Sequence, residues 1–142
     1  MNDVTVISRT NLQNEVRFGE GQTFITDEPL SLGGDGAGAD PYTLLLAALG
    51  SCISMTLTLY ARRKNWPLEG VEVRLRQQRI HASDCAECET TADGFVQHIE
   101  RSVHLEGALL TGEQRTRLQE IAHKCPVHKT LTSKIVISDM EG

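Results

Sequence analysis

Residues 40–67 read DPYTLLLAALGSCISMTLTLYARRKNWP. Asp40 is a good N-cap, and Pro41 is tolerated at the first helical position. Asn65-Trp66-Pro67 stops a helix, because the residue before a proline is pushed out of the helical region. The segment therefore predicts one helix from 41 to about 64, roughly 36 Å long. Leu45, Leu49, Cys52, Thr56 and Leu59 recur at 3–4 spacing, and Leu44, Ala48 and Met55 widen that stripe. A helix apolar over most of its girth is expected to be buried on most sides. Arg62, Arg63 and Lys64 fall in its last turn, where cations suit the helix dipole. Gly50, Ser51, Ser54 and several Thr interrupt the apolar run, which falls short of the roughly 20 residues a membrane span needs. A central core helix is the reading.

Outward from this helix the pattern changes period. On the N-terminal side, Val4 to Ile7 is a β-branched run, and Glu15–Phe18 and Gln22–Thr26 flank Gly19-Glu20-Gly21 as a hairpin would. A glycine-rich loop, residues 31–41, then leads into the helix. It lacks the Gly-Lys-Ser/Thr ending of a phosphate loop, and Asp35 and Asp40 would repel phosphate. Its glycines serve tight backbone turns. On the C-terminal side, Val71, Val73 and Leu75 alternate with charged residues toward Ile80, and Val96–Leu105 returns with Ile99, Val103 and Leu105 on one face. Thr111 with Gln114 is a capping-box signature opening a second helix, whose apolar face carries Leu118, Ile121, Ala122 and Cys125. Ile135 to Ser138 reads as a closing strand. The predicted order is βββ-α-ββ-α-β: one α+β domain over 1–142, with a β-hairpin region at 1–30 and a mostly antiparallel sheet.

Composition narrows the function. The 142 residues carry 14 Lys plus Arg against 19 Asp plus Glu, a net charge of −5. An acidic chain is a poor nucleic-acid or anionic-membrane binder, since phosphate attraction needs a basic face. Met1 to Thr10 has no apolar core of a signal peptide, so a cytoplasmic protein is expected. There the four cysteines would be reduced thiols unless they do redox or metal chemistry.

Those cysteines are the candidate chemistry. Cys52 lies about three turns into the long helix. Cys125 is expected at the C-terminal end of the second helix, where the dipole has the wrong sign to favour a thiolate; Lys124, His128 and Lys129 are the nearby cations. A free buried Cys also packs as a small hydrophobe. Cys85-Ala86-Glu87-Cys88, with His81 upstream, has the spacing of a metal or redox pair, and His98 or His104 could complete a ligand set. No Ser-His-Asp motif and no close acidic pair points to hydrolysis.

Four stretches together resemble the OsmC/Ohr family of thiol-dependent hydroperoxide reductases: LGGDGAGADP (32–41), LLLAALGSCISM (44–55), WPLEGVEVRL (66–75) and CPVHKTL (125–131). The Asp84–Glu89 stretch, DCAECE, is most similar to OsmC-like domains found alone or fused to α/β-hydrolases. The resemblance implies an intertwined homodimer with a strongly curved sheet, two main helices and the Cys-bearing helices at its centre. It implies that Cys52 is the peroxidatic thiolate, that Cys125 resolves it as a disulfide, and that an external dithiol resets the pair, with no cofactor. It further implies an Arg from the N-terminal β region beside the thiolate; Arg17 matches best by place, with Arg9 second. Tyr42 stands where organic-hydroperoxide resistance proteins carry a Glu that orients this Arg, leaving Glu15, Glu28 or Asp40 to take that part. The other readings are a non-catalytic dimer binding a small apolar ligand, and a metal- or redox-sensing module centred on His81, Cys85 and Cys88.

Overall fold

The computed structural model describes residues 2–84 and 94–141. The chain divides into two units, Met1–Ala47 and Ala48–Gly142.

The first unit is built on three antiparallel strands, β1 (Val4–Ser8), β2 (Asn14–Phe18) and β3 (Gln22–Thr26), paired in sequence order. The β2–β3 turn uses Gly19 and Gly21 at φ 56° and 71°, left-handed values that glycine adopts without strain. Val16 is buried at the sheet centre, where Val6, Val16 and Phe24 stand in register. After β3 the chain folds back over a buried carboxylate. Asp27 accepts backbone N–H bonds from Glu28 (2.8 Å), Asp35 (3.1 Å) and Ala37 (3.0 Å). These bonds, Ala37's first, hold its carboxyl below the usual range, against the opposing effect of burial. The glycine-rich loop is thus fixed from within. A Cβ at Gly34 would stand 1.9 Å from the Glu28 carbonyl oxygen, which is why that position must be glycine.

Helix α1 (Pro41–Lys64) begins in the first unit and continues through the second, with the bounds its sequence predicts. Asp40 accepts from the Thr43 hydroxyl at its start. At its end Asn65 turns left-handed at φ 55°, and Trp66 N–H reaches back to the Ala61 carbonyl at 2.9 Å, closing the last turn.

The second unit pairs two long antiparallel strands, β4 (Gly70–His81) and β5 (Phe95–Glu106), with α2 (Gly112–Ala122) and α3 (Pro126–Leu131). Its core gathers Leu49, Ile53 and Leu57 of α1, Leu105 of β5, Leu118, Ile121 and Ala122 of α2, and Cys125. The Thr111–Gln114 capping box forms in both directions.

Three expectations change. The buried stripe of α1 is Leu49, Ile53, Leu57 and Ala61, while Met55 and Leu59 are 65% and 56% exposed. The helix is therefore covered on one side within this chain, not most of its girth. Contrary to the sequence expectation, α1 is long and apolar enough by length and composition to cross a membrane, but Leu49, Ile53 and Leu57 pack into a protein core. Second, α2 ends at Ala122, so Cys125 does not lie on its last turn; it is the N-cap of α3. Pro126 cannot continue a helix from behind, but it suits the first position of a new one. Third, residues 135–138 form no strand: among the described residues none pairs with them, and their apolar side chains stay exposed. The order is therefore βββ-α-ββ-α-α, in two antiparallel sheets of three and two strands.

Candidate redox site

Cys52 and Cys125 meet in the second unit. Cys52 sits on α1 between the buried Leu49 and Ile53, half-buried itself. Gly50 beside it lets the helix come close to β4: a Cβ there would lie 2.9 Å from Leu75 Cδ1. Cys125 is completely buried, and its sulfur accepts the His128 N–H at 3.3 Å as the cap of α3. One residue earlier, Val127 N–H points at the Cys52 sulfur at 3.5 Å. Consecutive amides of one turn thus reach the two sulfurs, which places the thiols side by side. Both thiols are free. Burial pushes the Cys125 thiol up, the His128 N–H opposes this, and neighbouring Cys52 raises it further. As the N-cap of a helix, Cys125 lies at the end whose dipole favours negative charge, the reverse of the sequence expectation.

A residue that sequence reading overlooked closes this corner. Arg101 on β5 donates from Nη1 to the Ala122 carbonyl (3.2 Å) and to His128 Nδ1 (3.2 Å), and from Nη2 to His123 Nδ1 (2.6 Å). Its signal was in the alternation. Ile99, Arg101, Val103 and Leu105 share one strand face, so an arginine stands in an inward position. His123 is exposed yet holds this arginine. Burial, Arg101 and His123 hold the His128 imidazole below its usual range, in that order. In the same unit lies a pocket of about 240 Å³ with Leu49, Ile99 and Leu131 as apolar walls and Gln97, Arg101, His128 and Thr132 as its polar edge; neither cysteine lines it, and Leu49 and His128 connect it to the thiol corner.

Arg17 and Arg9 belong to the first unit. Both bond the same carboxylate: Arg17 Nε to Glu15 at 2.6 Å and Arg9 Nη2 to Glu15 at 2.7 Å. The two guanidiniums, Arg17's first, hold the Glu15 carboxyl below the usual range. Of the three acids that could orient Arg17 in place of a Glu at position 42, Glu15 is the one bonded to it. His81 bonds Ser83 through Nδ1 at 2.6 Å, while Cys85 and Cys88 lie outside the described residues. Among the described residues, no three His, Cys, Asp or Glu gather as metal ligands.

Comparison with known proteins follows this geometry. The chain's fold is similar to the OsmC-like protein of Mycoplasma pneumoniae (TM-score 0.70, 19% identity, covering 92% of this chain and 86% of that one). It is also similar to an organic hydroperoxide resistance protein OsmC from Legionella pneumophila (TM-score 0.64, 19% identity, 93% and 90%). A third likeness is to an organic hydroperoxide resistance protein from Elizabethkingia anophelis (TM-score 0.66, 20% identity, 93% and 88%). No curated protein matches. The family model described as OsmC-like protein matches residues 34–138, which include both site cysteines, and the chain therefore belongs to the OsmC-like family.

Proposed function

We propose that this protein is a thiol-dependent hydroperoxide reductase, with Cys52 as the peroxidatic and Cys125 as the resolving cysteine. The observation that carries this reading is the side-by-side placement of the two free thiols on consecutive amides of α3. The Cys52 thiolate attacks the outer oxygen of a hydroperoxide ROOH. The O–O bond breaks, the alkoxide leaves and is protonated to the alcohol, and Cys52 becomes a sulfenic acid. The Cys125 thiolate then attacks that sulfur. An S–S bond forms, the S–O bond breaks, and hydroxide leaves as water with the proton Cys125 gave up. An external dithiol reduces the disulfide by exchange. No cofactor is required.

The apolar walls of the adjoining pocket favour organic hydroperoxides over hydrogen peroxide. Arg17, fixed by Glu15, is the candidate cation for the peroxidatic step. The partner is a second copy of the chain: Met55 and Leu59 on α1, and Ile135, Val136, Ile137 and Met140, are apolar and exposed, as faces awaiting a subunit would be. The compartment is the cytosol, where dithiol reductants are at hand.

The test is consumption of cumene hydroperoxide with dithiothreitol. The wild type turns over. Cys52→Ser loses all activity with its fold intact, Cys125→Ser stops after one equivalent with Cys52 trapped as a sulfenic acid or mixed disulfide, and Arg17→Ala slows the first step. Full activity in Cys52→Ser overturns the reading.

A further inference from the structure

Arg101 is poorly explained as a structural residue. It occupies an inward strand position, directly opposite Leu75 in the ladder and flanked on its own face by Ile99 and Val103. A charge set among apolar side chains is normally matched by an opposite charge. Here every bonded acceptor is neutral: one carbonyl and two imidazole nitrogens. Arg76, its neighbour across the strands, is by contrast paired with Glu100 at 2.7 Å. Among the described residues no carboxylate pairs with Arg101.

The imidazoles show what the arrangement supplies. Each offers Nδ1 to the guanidinium, and burial together with the Arg101 charge holds His128 below its usual range, which disfavours its protonated form. His128 is therefore not the cation of this corner. Cys125 is in direct contact with Cys52 from α1 and with the His128 and Val127 amides of α3, while Arg101 from β5 is tied to it through the Ala122 carbonyl and the His128 ring and feels its charge, with His123 bonded to the far side of the guanidinium. Of these only Arg101 carries a permanent charge. Its partners, the Ala122 carbonyl and His128 Nδ1, bracket Cys125 in sequence, and the His128 amide also bonds the Cys125 sulfur. The positive charge is thereby pinned to the turn that carries the buried thiol.

We propose that Arg101 is the positioning residue of the resolving step: clamped by His123, His128 and the Ala122 carbonyl, its guanidinium holds positive charge at Cys125 and stabilises the thiolate that attacks oxidised Cys52. This rests on the dithiol reading above, but its electrostatic core can be tested without peroxide. In a Cys52→Ser background, methyl methanethiosulfonate labelling of Cys125 is followed by peptide mapping between pH 7 and 10.5. Arg101→Gln moves the half-labelling pH of Cys125 up by about one unit, which is roughly tenfold slower labelling on the acid side. Arg101→Lys, which keeps the charge, recovers most of that loss. His123→Ala, at an exposed position, gives a smaller shift in the same direction and serves if Arg101→Gln does not fold. With Cys52 present, Arg101→Gln also lengthens the life of the Cys52 sulfenic acid after one equivalent of cumene hydroperoxide, trapped with dimedone.

A residue that merely caps α2 would lower thermal stability in Arg101→Gln and leave the Cys125 profile unmoved; that result overturns the proposal. An unmoved profile in folded His123→Ala does the same if Arg101→Gln is unfolded. If the profile shifts while Cys52 ignores peroxide, the hydroperoxide reading fails and the electrostatic role of Arg101 stands.

Discussion

Charge is handled in opposite ways at two places, the loop and sheet of the first unit and the thiol corner of the second. In the first, Asp27 is neutralised by three backbone N–H groups, and Glu15 takes two guanidiniums. Each charge is answered locally, and the reward is geometry: a glycine-rich loop wound around a carboxylate. In the second, Arg101 leans on neutral acceptors, and a buried thiol waits beside it. A satisfied charge holds a shape. A charge left with only neutral partners is available to act on a neighbour, and in the proposed mechanism that neighbour is Cys125, the cysteine that would ionise.

The largest effect expected from breaking this contrast is on the core that holds the thiols together. Leu118 is completely buried under Cys125's unit. Leu118→Ala should cost roughly 2–5 kcal/mol by lost burial and the cavity left behind. Urea unfolding followed by the fluorescence of Trp66, the single tryptophan, reads it directly. Next comes Gly34→Ala, whose Cβ meets a backbone oxygen and cannot be accommodated by a rotamer change. Amide exchange should show the Asp35 and Ala37 N–H groups losing protection while Trp66 unfolding barely moves.

The pH response separates the units further. Asp27's folded value is depressed, so its contribution is present above the unfolded value, about 3.9, and is lost as pH falls through the folded value. His128 is also depressed, and for an imidazole this means that the fold disfavours the protonated ring. Its contribution is complete above about 6.5 and is lost as pH falls below it. Cys125 is raised, so stability declines as pH climbs above the ordinary thiol value near 9.0. The second unit should thus weaken on both sides of neutrality, and the first only in stronger acid. Trp66 fluorescence and loop amide exchange across pH 3–10 check both windows. The smallest effect is Gly112→Ala at the start of α2, where an added Cβ meets nothing within 4 Å. It should leave stability within about 1 kcal/mol of the wild type or slightly above it.

Much of the fold was legible because local rules agreed. Helix α1 ran from Pro41 to Lys64 as its Asp-Pro start and Asn-Trp-Pro stop required, and the capping box at Thr111 formed as read. The pair Cys52 and Cys125 was singled out from sequence, and the structure brings the two together. What failed was what depends on partners beyond the local chain. Residues 135–138 have strand-like chemistry but pair with no strand among the described residues, and Met55 and Leu59 are apolar and exposed. Cys125 was misplaced because the second helix was carried through to it, whereas the proline after it starts a new helix. Arg101 escaped because the apolar members of β5 were counted and the charged one between them was passed over.

Cys52 and Cys125 are proposed to act as one redox pair. The most direct measurement is intact mass and peptide mapping after one equivalent of cumene hydroperoxide is added to the fully reduced protein. Rapid loss of two hydrogens, mapped to a Cys52–Cys125 disulfide, is the predicted result. Both thiols still reduced, or oxidised only to separate sulfinic acids, would contradict it.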